Sequence, residues 1–195
     1  MSYTMVTKKG LDFFEVSSAF QKAIRRGEEE VAMRMGEELF DSGFGEYCWK
    51  RMKIITSEDV GLAEPNMPAV IWSLYQIYQE QVKKKDEKHC PERLYLYHAI
   101  ILLVRAKKSR YVDWALTYIR ETNKKLKLEI PDYAYDMHTR KGKAMSRGMD
   151  HFYNEGSKLE NIARIDGEEE MRQKSFESEP SEDFEEGNDP YSLFK

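Results

Sequence analysis

The segment from Ile55 to Pro65 constrains the fold of this chain most strongly, and we call it the corner. It follows a stretch whose apolar residues recur at the spacing of one helical face. Gly61 can adopt the left-handed backbone that closes a helix, and Pro65 followed by Pro68 prevents the helix from continuing. The corner is therefore predicted to end one helix and to orient the next.

Three polar residues, Ser57, Glu58 and Asp59, stand directly before this break. Their side-chain oxygens can accept hydrogen bonds from backbone N–H groups that become free where the helix ends. They can equally bind a neighbouring cation, and the sequence leaves both alternatives open.

Helical periodicity extends over most of the chain, and alternating strand patterns last only a few residues. Short connections rich in glycine and proline separate the periodic segments. The sequence therefore predicts an all-α protein, a multi-helix bundle. The predicted helices span residues 11–26, 28–42, 46 into the corner, 68–85, 91–107 and 110–122.

Particular side chains are expected to face the core of this bundle. The fifth helix contains a run that is apolar all round, so it is predicted to be the most buried, with His98 as a hydrogen-bonded core residue. The stripes predicted to face inward are Val31, Met35 and Leu39 in the second helix and Val112, Ala115, Leu116 and Ile119 in the sixth.

The distribution of charge predicts the domain organisation. The overall net charge is −4, but the residues from Asp166 onward are mostly acidic and the rest of the chain is slightly basic. An acidic segment with few apolar residues is typical of a disordered, solubilising extension. We therefore predict an N-terminal extension over 1–10, an all-α domain over 11–165 and a flexible acidic tail over 166–195.

Composition argues against several classes of protein. No apolar run approaches the roughly 20 residues of a membrane-spanning helix, and the N-terminus lacks the pattern of a secretory signal. Cys48 and Cys90 fit reduced thiols of a cytoplasmic protein better than a disulfide framework. The expected location is the cytoplasm.

No pattern of catalytic or metal-binding residues stands out. The four histidines form no pair at metal-ligand spacing, and the cysteines do not form C-x-x-C. The phosphate-binding pattern G-x-x-x-x-G-K-[ST] is missing, because Gly142 and Lys143 are followed by Ala144. We expect no metal, no cofactor and no enzymatic activity, although an enzyme with an unrecognised site remains the third alternative.

The basic segment 139–148 is the candidate nucleic-acid site. Gly142 and Gly148 permit close approach of the backbone, and the flanking aromatic residues can stack on bases. The alternative is a solvated loop, or a loop that pairs with acidic residues of a neighbouring subunit. The cations of the segment are Arg140, Lys141, Lys143 and Arg147.

The C-terminus carries a second candidate site. Tyr191, Leu193 and Phe194 are large apolar residues at the end of the acidic segment. The Ser-Leu-Phe sequence is similar to part of the peptide by which bacterial proteins bind the sliding clamp, although Pro190 replaces the expected glutamine. Docking elsewhere, or packing back on the body, is the alternative. A tethered peptide would gain from its high effective concentration.

Several segments, in order along the chain, resemble the C-terminal helical domain of the RarA/MgsA family, AAA+ ATPases that are related to clamp loaders and maintain replication forks. The corner resembles the family motif SEDVGLADP, and Ser18–Arg25 resembles SAFHKSIR. Pro91-Glu92, Ala106–Ser109 and Ile130-Pro131 are similar to the family's PE, APKSN and PVP segments, with departures at Lys108 and Arg110.

The resemblance implies a clamp-loader-collar architecture and a role in oligomerisation, since full-length members assemble as tetramers. The chain would then be a non-catalytic interaction module of DNA replication or repair. Its partners would be copies of itself or an AAA+ ATPase of the same family. The alternative is an accessory protein that binds DNA through the basic segment and a sliding clamp through the C-terminal peptide.

Overall fold

The computed structural model describes residues 5–84 and 91–177. The chain divides into two units, residues 1–128 and 129–195. The first unit contains six helices in its described part, α1 Phe13–Arg26, α2 Glu29–Leu39, α3 Gly45–Ile55, α4 Met67–Lys84, α5 Glu92–Arg105 and α6 Tyr111–Asn123. These bounds agree closely with the predicted helices and confirm the all-α class.

The second unit is built from shorter pieces. An extended segment leads to a 3₁₀ turn over Asp132–Ala134. A π-helical turn over Phe152–Gly156 continues directly from the third residue of α8. The helices of this unit are α7 Arg140–Ala144, α8 Met149–His151 and α9 Glu168–Glu177.

Helix α1 shows how local sequence sets the helix ends. The Asp12 side chain accepts hydrogen bonds from the backbone N–H groups of Phe14 and Glu15, at 2.8 and 3.0 Å. At the other end, Gly27 adopts φ 77° and ψ 20°, the left-handed conformation that closes a helix. Both ends of α1 are therefore specified by single residues.

The core of the first unit lies where α1, α2, α3, α4 and α5 meet. Burial of its side chains is the main source of stability of such a bundle. Its largest fully buried members are Trp49, Phe20, Ile24, Leu39, Met52, Ile55, Ile71, Leu96, Ile100 and Leu103.

The predicted inward stripe of α2 was wrong by one position. Val31 is exposed, whereas Ala32 and Gly36 are buried beside Leu39. A Cβ atom on Gly36 would lie 2.6 Å from Cδ1 of Ile100, so the missing side chain allows α2 to approach α5 closely. The prediction favoured large apolar residues and overlooked this close helix contact.

His98 was also predicted wrongly, because its side chain is exposed on α5. The buried face of α5 is formed by Leu96, Ala99, Ile100, Leu103 and Val104. An apolar run in a helix identifies a buried element but does not determine which of its sides faces solvent.

The beginning of the predicted acidic tail forms helix α9. Its side chains pair along the helix, with Lys174 Nζ 2.6 Å from Glu170 Oε1, which is a stabilising spacing for opposite charges. The tail beyond residue 177 lies outside the described residues. Across the described ranges, no helix combines the length and apolar character needed to span a membrane.

Candidate functional site

The corner departs from the predicted helix closure at Gly61. Helix α3 passes into a π-helical turn over Thr56–Val60, and Gly61 then adopts φ 51° and ψ −129°. These angles match the first central position of a type II′ turn rather than the left-handed helical conformation. A Cβ atom here would lie 3.1 Å from the backbone oxygen of Ser109, so glycine also permits a close approach to the chain before α6.

The acidic residues of the corner bind a cation, which resolves the alternatives left open by the sequence. Asp59 is fully buried, and its carboxylate accepts hydrogen bonds from Nε and Nη2 of Arg25 at 2.7 and 3.2 Å. Glu58 accepts a further bond from Nη2 of Arg25 at 3.1 Å. The hydrogen bond to Asp59 raises the pKa of Arg25 above its ordinary value, so this guanidinium stays charged.

A second arginine joins the corner to α6. Arg110, directly before α6, lies 3.6 Å from Glu58 and 3.7 Å from Asp59, and also pairs with Asp113. The backbone N–H of Ser109 donates to the carbonyl oxygen of Asp59 at 2.8 Å. The corner therefore fixes the N-terminal end of α6.

Two other residues of the corner have simpler roles. Ser57 and Pro65 are both exposed. Pro65 stands two residues before α4, where it separates the corner from that helix. Sequence reasoning did not identify Arg25 and Arg110 as partners of the corner; the acidic pair itself was the only available signal, because it required cations.

The inward stripe predicted for α6 was wrong, since no residue of this helix is buried. Leu116 is 57 % exposed and Ile119 is 51 % exposed. The corner holds only the first turn of α6, so the remaining turns have no core to pack against within this unit.

The exposed residues of α6 form one apolar surface, which we call the α6 ridge. Trp114 and Tyr118 are each about two thirds exposed. Large apolar side chains concentrated on one helix mark an interaction site more often than scattered ones do. The ridge consists of Tyr111, Val112, Trp114, Leu116, Tyr118 and Ile119.

The opposite feature, an apolar groove, lies between α4 and α5 of the same unit. Its volume is about 480 Å³, and we call it the α4–α5 groove. Five of its six lining residues carry no ionisable group, the exception being His98. The lining consists of Ala69, Val70, Ser73, Leu74, His98 and Leu102.

The basic segment of the second unit divides into structural and exposed cations. Arg147 donates to both carboxylate oxygens of Asp132, at 2.8 and 2.7 Å, and to the carbonyl oxygen of Tyr135 at 2.9 Å. The ammonium group of Lys141 lies 3.8 Å from the ring centre of Tyr135, within cation–π distance. Arg147 thus cross-links the unit internally.

Arg140 and Lys143 are the cations of this segment that remain available. Both are exposed on α7, and neither forms an ion pair within 5–84 or 91–177. Gly142 is buried, and a Cβ atom on it would lie 1.8 Å from the carbonyl oxygen of Asp136. Gly142 therefore serves packing within the unit.

The remaining candidates divide between the described part of the chain and the rest. Tyr191, Leu193 and Phe194 lie outside the described residues, so clamp binding stays a prediction. Burial raises the pKa of the Cys48 thiol to about 12, which keeps it protonated and unreactive at neutral pH. In the part of the chain that the structure describes, no cluster of His, Cys, Asp and Glu has the arrangement of a metal site.

Comparison with known proteins gives two similar relatives, both called Replication-associated recombination protein A. The protein of Bacillus subtilis (strain 168) is 30 % identical over 152 residues, which cover 75 % of this chain and 34 % of the relative. The protein of Coxiella burnetii (strain RSA 493 / Nine Mile phase I) is 26 % identical over 148 residues, which cover 75 % of this chain and 32 % of the relative. The matched region spans about a third of the length of each relative.

A family model described as MgsA AAA+ ATPase C terminal matches residues 30–189. This range includes the corner, both arginine-bearing connections to it except Arg25, the α6 ridge and the basic segment. The resemblance inferred from the sequence is thereby confirmed. The chain belongs to the MgsA AAA+ ATPase C-terminal family.

Proposed function

We propose that this chain is an association module that joins copies of itself through the α6 ridge, within a replication-associated ATPase assembly. The observation that carries the proposal is the complete absence of buried residues on α6 despite its six large apolar side chains. Exposing this much apolar surface to water is unfavourable, and covering it with another subunit removes that cost.

The rigid attachment of α6 supports the same role. The Asp59–Arg25 and Ser109–Asp59 hydrogen bonds fix the start of the helix against the core. A pre-organised helix loses little conformational entropy when it binds, which favours association. The names of the two relatives support a connection with DNA replication and recombination.

Light scattering after size exclusion tests the proposal on the full chain. We expect a molar mass well above the 23.1 kDa of one chain, and a tetramer is the assembly implied by the family resemblance. The double variant Leu116→Glu/Ile119→Glu is expected to be monomeric, because it introduces two charges into the ridge. A monomeric unmodified chain at the highest attainable concentration would contradict the proposal.

Phe14→Glu is the matched control. Phe14 is a large apolar residue of α1 that is 64 % exposed, as much as Trp114 on α6 at 65 %. We expect this variant to associate like the unmodified chain, since a general loss of surface hydrophobicity should not matter. If it dissociates as fully as the α6 variant, the effect is not specific to α6.

Contact with DNA through α7 is a second candidate function, favoured by the exposed and unpaired Arg140 and Lys143. Their replacement by glutamate is expected to weaken binding to duplex DNA, and each lost phosphate contact should reduce the slope of log K against log [salt] by about 0.9. Arg164→Glu is the control, because Arg164 is an exposed cation of the same unit outside the basic segment. Equal effects of the two changes would contradict a specific site.

A further inference from the structure

We infer that the α6 ridge of one copy occupies the α4–α5 groove of a second copy, so that the subunits associate head to tail. The inference rests on the proposed self-association and adds the partner surface. The ridge and the groove are different surfaces of one unit, so an interface between them is heterologous. Repeating it closes a ring or extends a chain of subunits.

The spacing of the ridge residues suits insertion into a groove. Val112, Leu116 and Ile119 recur at i, i+4 and i+7, which is the pattern of anchors on a helix that docks in an apolar groove. Val112 is the least exposed of the six ridge residues at 37 %, because it lies beside the corner. Leu116 and Ile119 are therefore the anchors that project furthest from the unit.

The groove offers a matching surface. Val70, Leu74 and Leu102 supply aliphatic contacts, while the small side chains of Ala69 and Ser73 leave room for the side chains of another helix. Two exposed apolar residues extend the groove by one helical turn each, Leu94 on α5 and Ile77 on α4. Both sides of the proposed interface are apolar, as the buried centre of a stable interface requires.

The available area is sufficient for a specific interface. Burying the exposed part of Tyr111, Trp114 and Tyr118 would remove about 100–150 Å² from water for each ring. The aliphatic anchors add to this, so α6 alone contributes roughly 500 Å² on its side. A specific interface buries about 1,000 Å² or more over both partners, which this pairing reaches.

Mixing two complementary variants tests the pairing. The ridge variant is Leu116→Glu/Ile119→Glu, and the groove variant is Val70→Glu, which places a carboxylate at the groove. Each is expected to weaken self-association on the order of 100-fold, because docking would bury an uncompensated charge. All changed positions are exposed in the single chain, so the fold should persist, and circular dichroism with thermal unfolding checks this.

The head-to-tail arrangement predicts a specific result for the mixture. The intact groove of the ridge variant and the intact ridge of the groove variant can still meet once, so native mass spectrometry should detect a 1:1 complex of the two. Val31→Glu is the control for Val70→Glu, because these valines are 42 % and 41 % exposed on neighbouring helices. The control should associate like the unmodified chain.

Two results would overturn the inference and can be told apart. If the unmodified chain associates but the mixed variants stay monomeric, the ridge binds a different surface, such as the ridge of a second copy, and the proposed function survives. If the groove variant associates as tightly as the unmodified chain, the groove is not part of the interface. A monomeric unmodified chain would overturn both this inference and the proposed function.

Discussion

Gly61 is the residue where backbone conformation and packing impose the same choice. Its φ of 51° with ψ −129° is strongly unfavourable for any residue with a side chain, and Ser109 lies close to the missing Cβ. We predict that Gly61→Ala lowers the free energy of unfolding by about 1–3 kcal/mol, as measured by urea denaturation.

Gly148→Ala is the control for this change. Gly148 has φ −106°, and nothing lies within 4 Å of the position that its Cβ would occupy. Its replacement should change stability by less than about 0.5 kcal/mol. Equal effects at the two glycines would show that the turn at Gly61 does not require glycine.

Glu38 makes part of the stability of the first unit dependent on pH. Its side chain is buried, and hydrogen bonds from the Thr7 hydroxyl and the Lys9 backbone N–H lower its pKa. A carboxyl whose pKa is lower in the folded state stabilises the fold above the unfolded pKa of about 4.3. That contribution is lost as the pH falls through the folded pKa.

The corresponding test compares Glu38→Gln with the unmodified chain in urea between pH 3 and pH 7. The variant should be less stable near neutral pH, and the difference should shrink as the pH is lowered. Asp41 and Glu29 also have lowered pKa values, so both proteins should still lose stability in acid. A difference that stays constant with pH would contradict the role of Glu38.

At the scale of the element, α6 differs from the other long helices of its unit because it does not contribute to the core. Trp49 of α3 is fully buried, whereas Trp114 of α6 is 65 % exposed. We predict that Trp49→Ala lowers the free energy of unfolding by about 3–5 kcal/mol. In dilute protein, where the chain is monomeric, Trp114→Ala should cost less than about 0.5 kcal/mol.

This pair of identical substitutions separates a core helix from an interaction helix. Thermal or urea unfolding at low protein concentration provides the measurement. A loss at Trp114 that approaches the loss at Trp49 would mean that α6 packs within its own chain.

Helical periodicity predicted the existence and bounds of α1 to α6 because each helix has an apolar face and a glycine or proline near its ends. Periodicity could not predict the environment of each face. The apolar face of α6 is as regular as that of α1, yet Leu116 is exposed and Phe20 is buried. A pattern shows that a face will be covered, but not whether the same chain covers it.

The candidate sites were predictable to different degrees for the same reason. The acidic pair of the corner was recognised because burying Asp59 demands a cation, but Arg25 is distant in sequence and could not be assigned to it. Among the basic residues, composition could not distinguish Arg147, which binds Asp132, from the exposed Arg140. Only the three-dimensional contacts separate a structural cation from an available one.

For the whole molecule, family membership and the exposed ridge point to the same interpretation. The chain matches a family of ATPase C-terminal regions, and it spans about a third of the relatives called Replication-associated recombination protein A. Its largest helix without buried residues is held in place by residues of the corner. The central claim of this account is that subunit contact covers α6.

Hydroxyl-radical footprinting with mass spectrometry tests that claim most directly, because it reads the solvent exposure of individual side chains in the unmodified protein. Labelling is compared at a dilution where the chain is monomeric and at a concentration where it is associated. We predict that Tyr111, Trp114 and Tyr118 lose most of their labelling on association, whereas Phe14 keeps its own. Unchanged labelling of the three α6 aromatics in the associated protein would contradict the account.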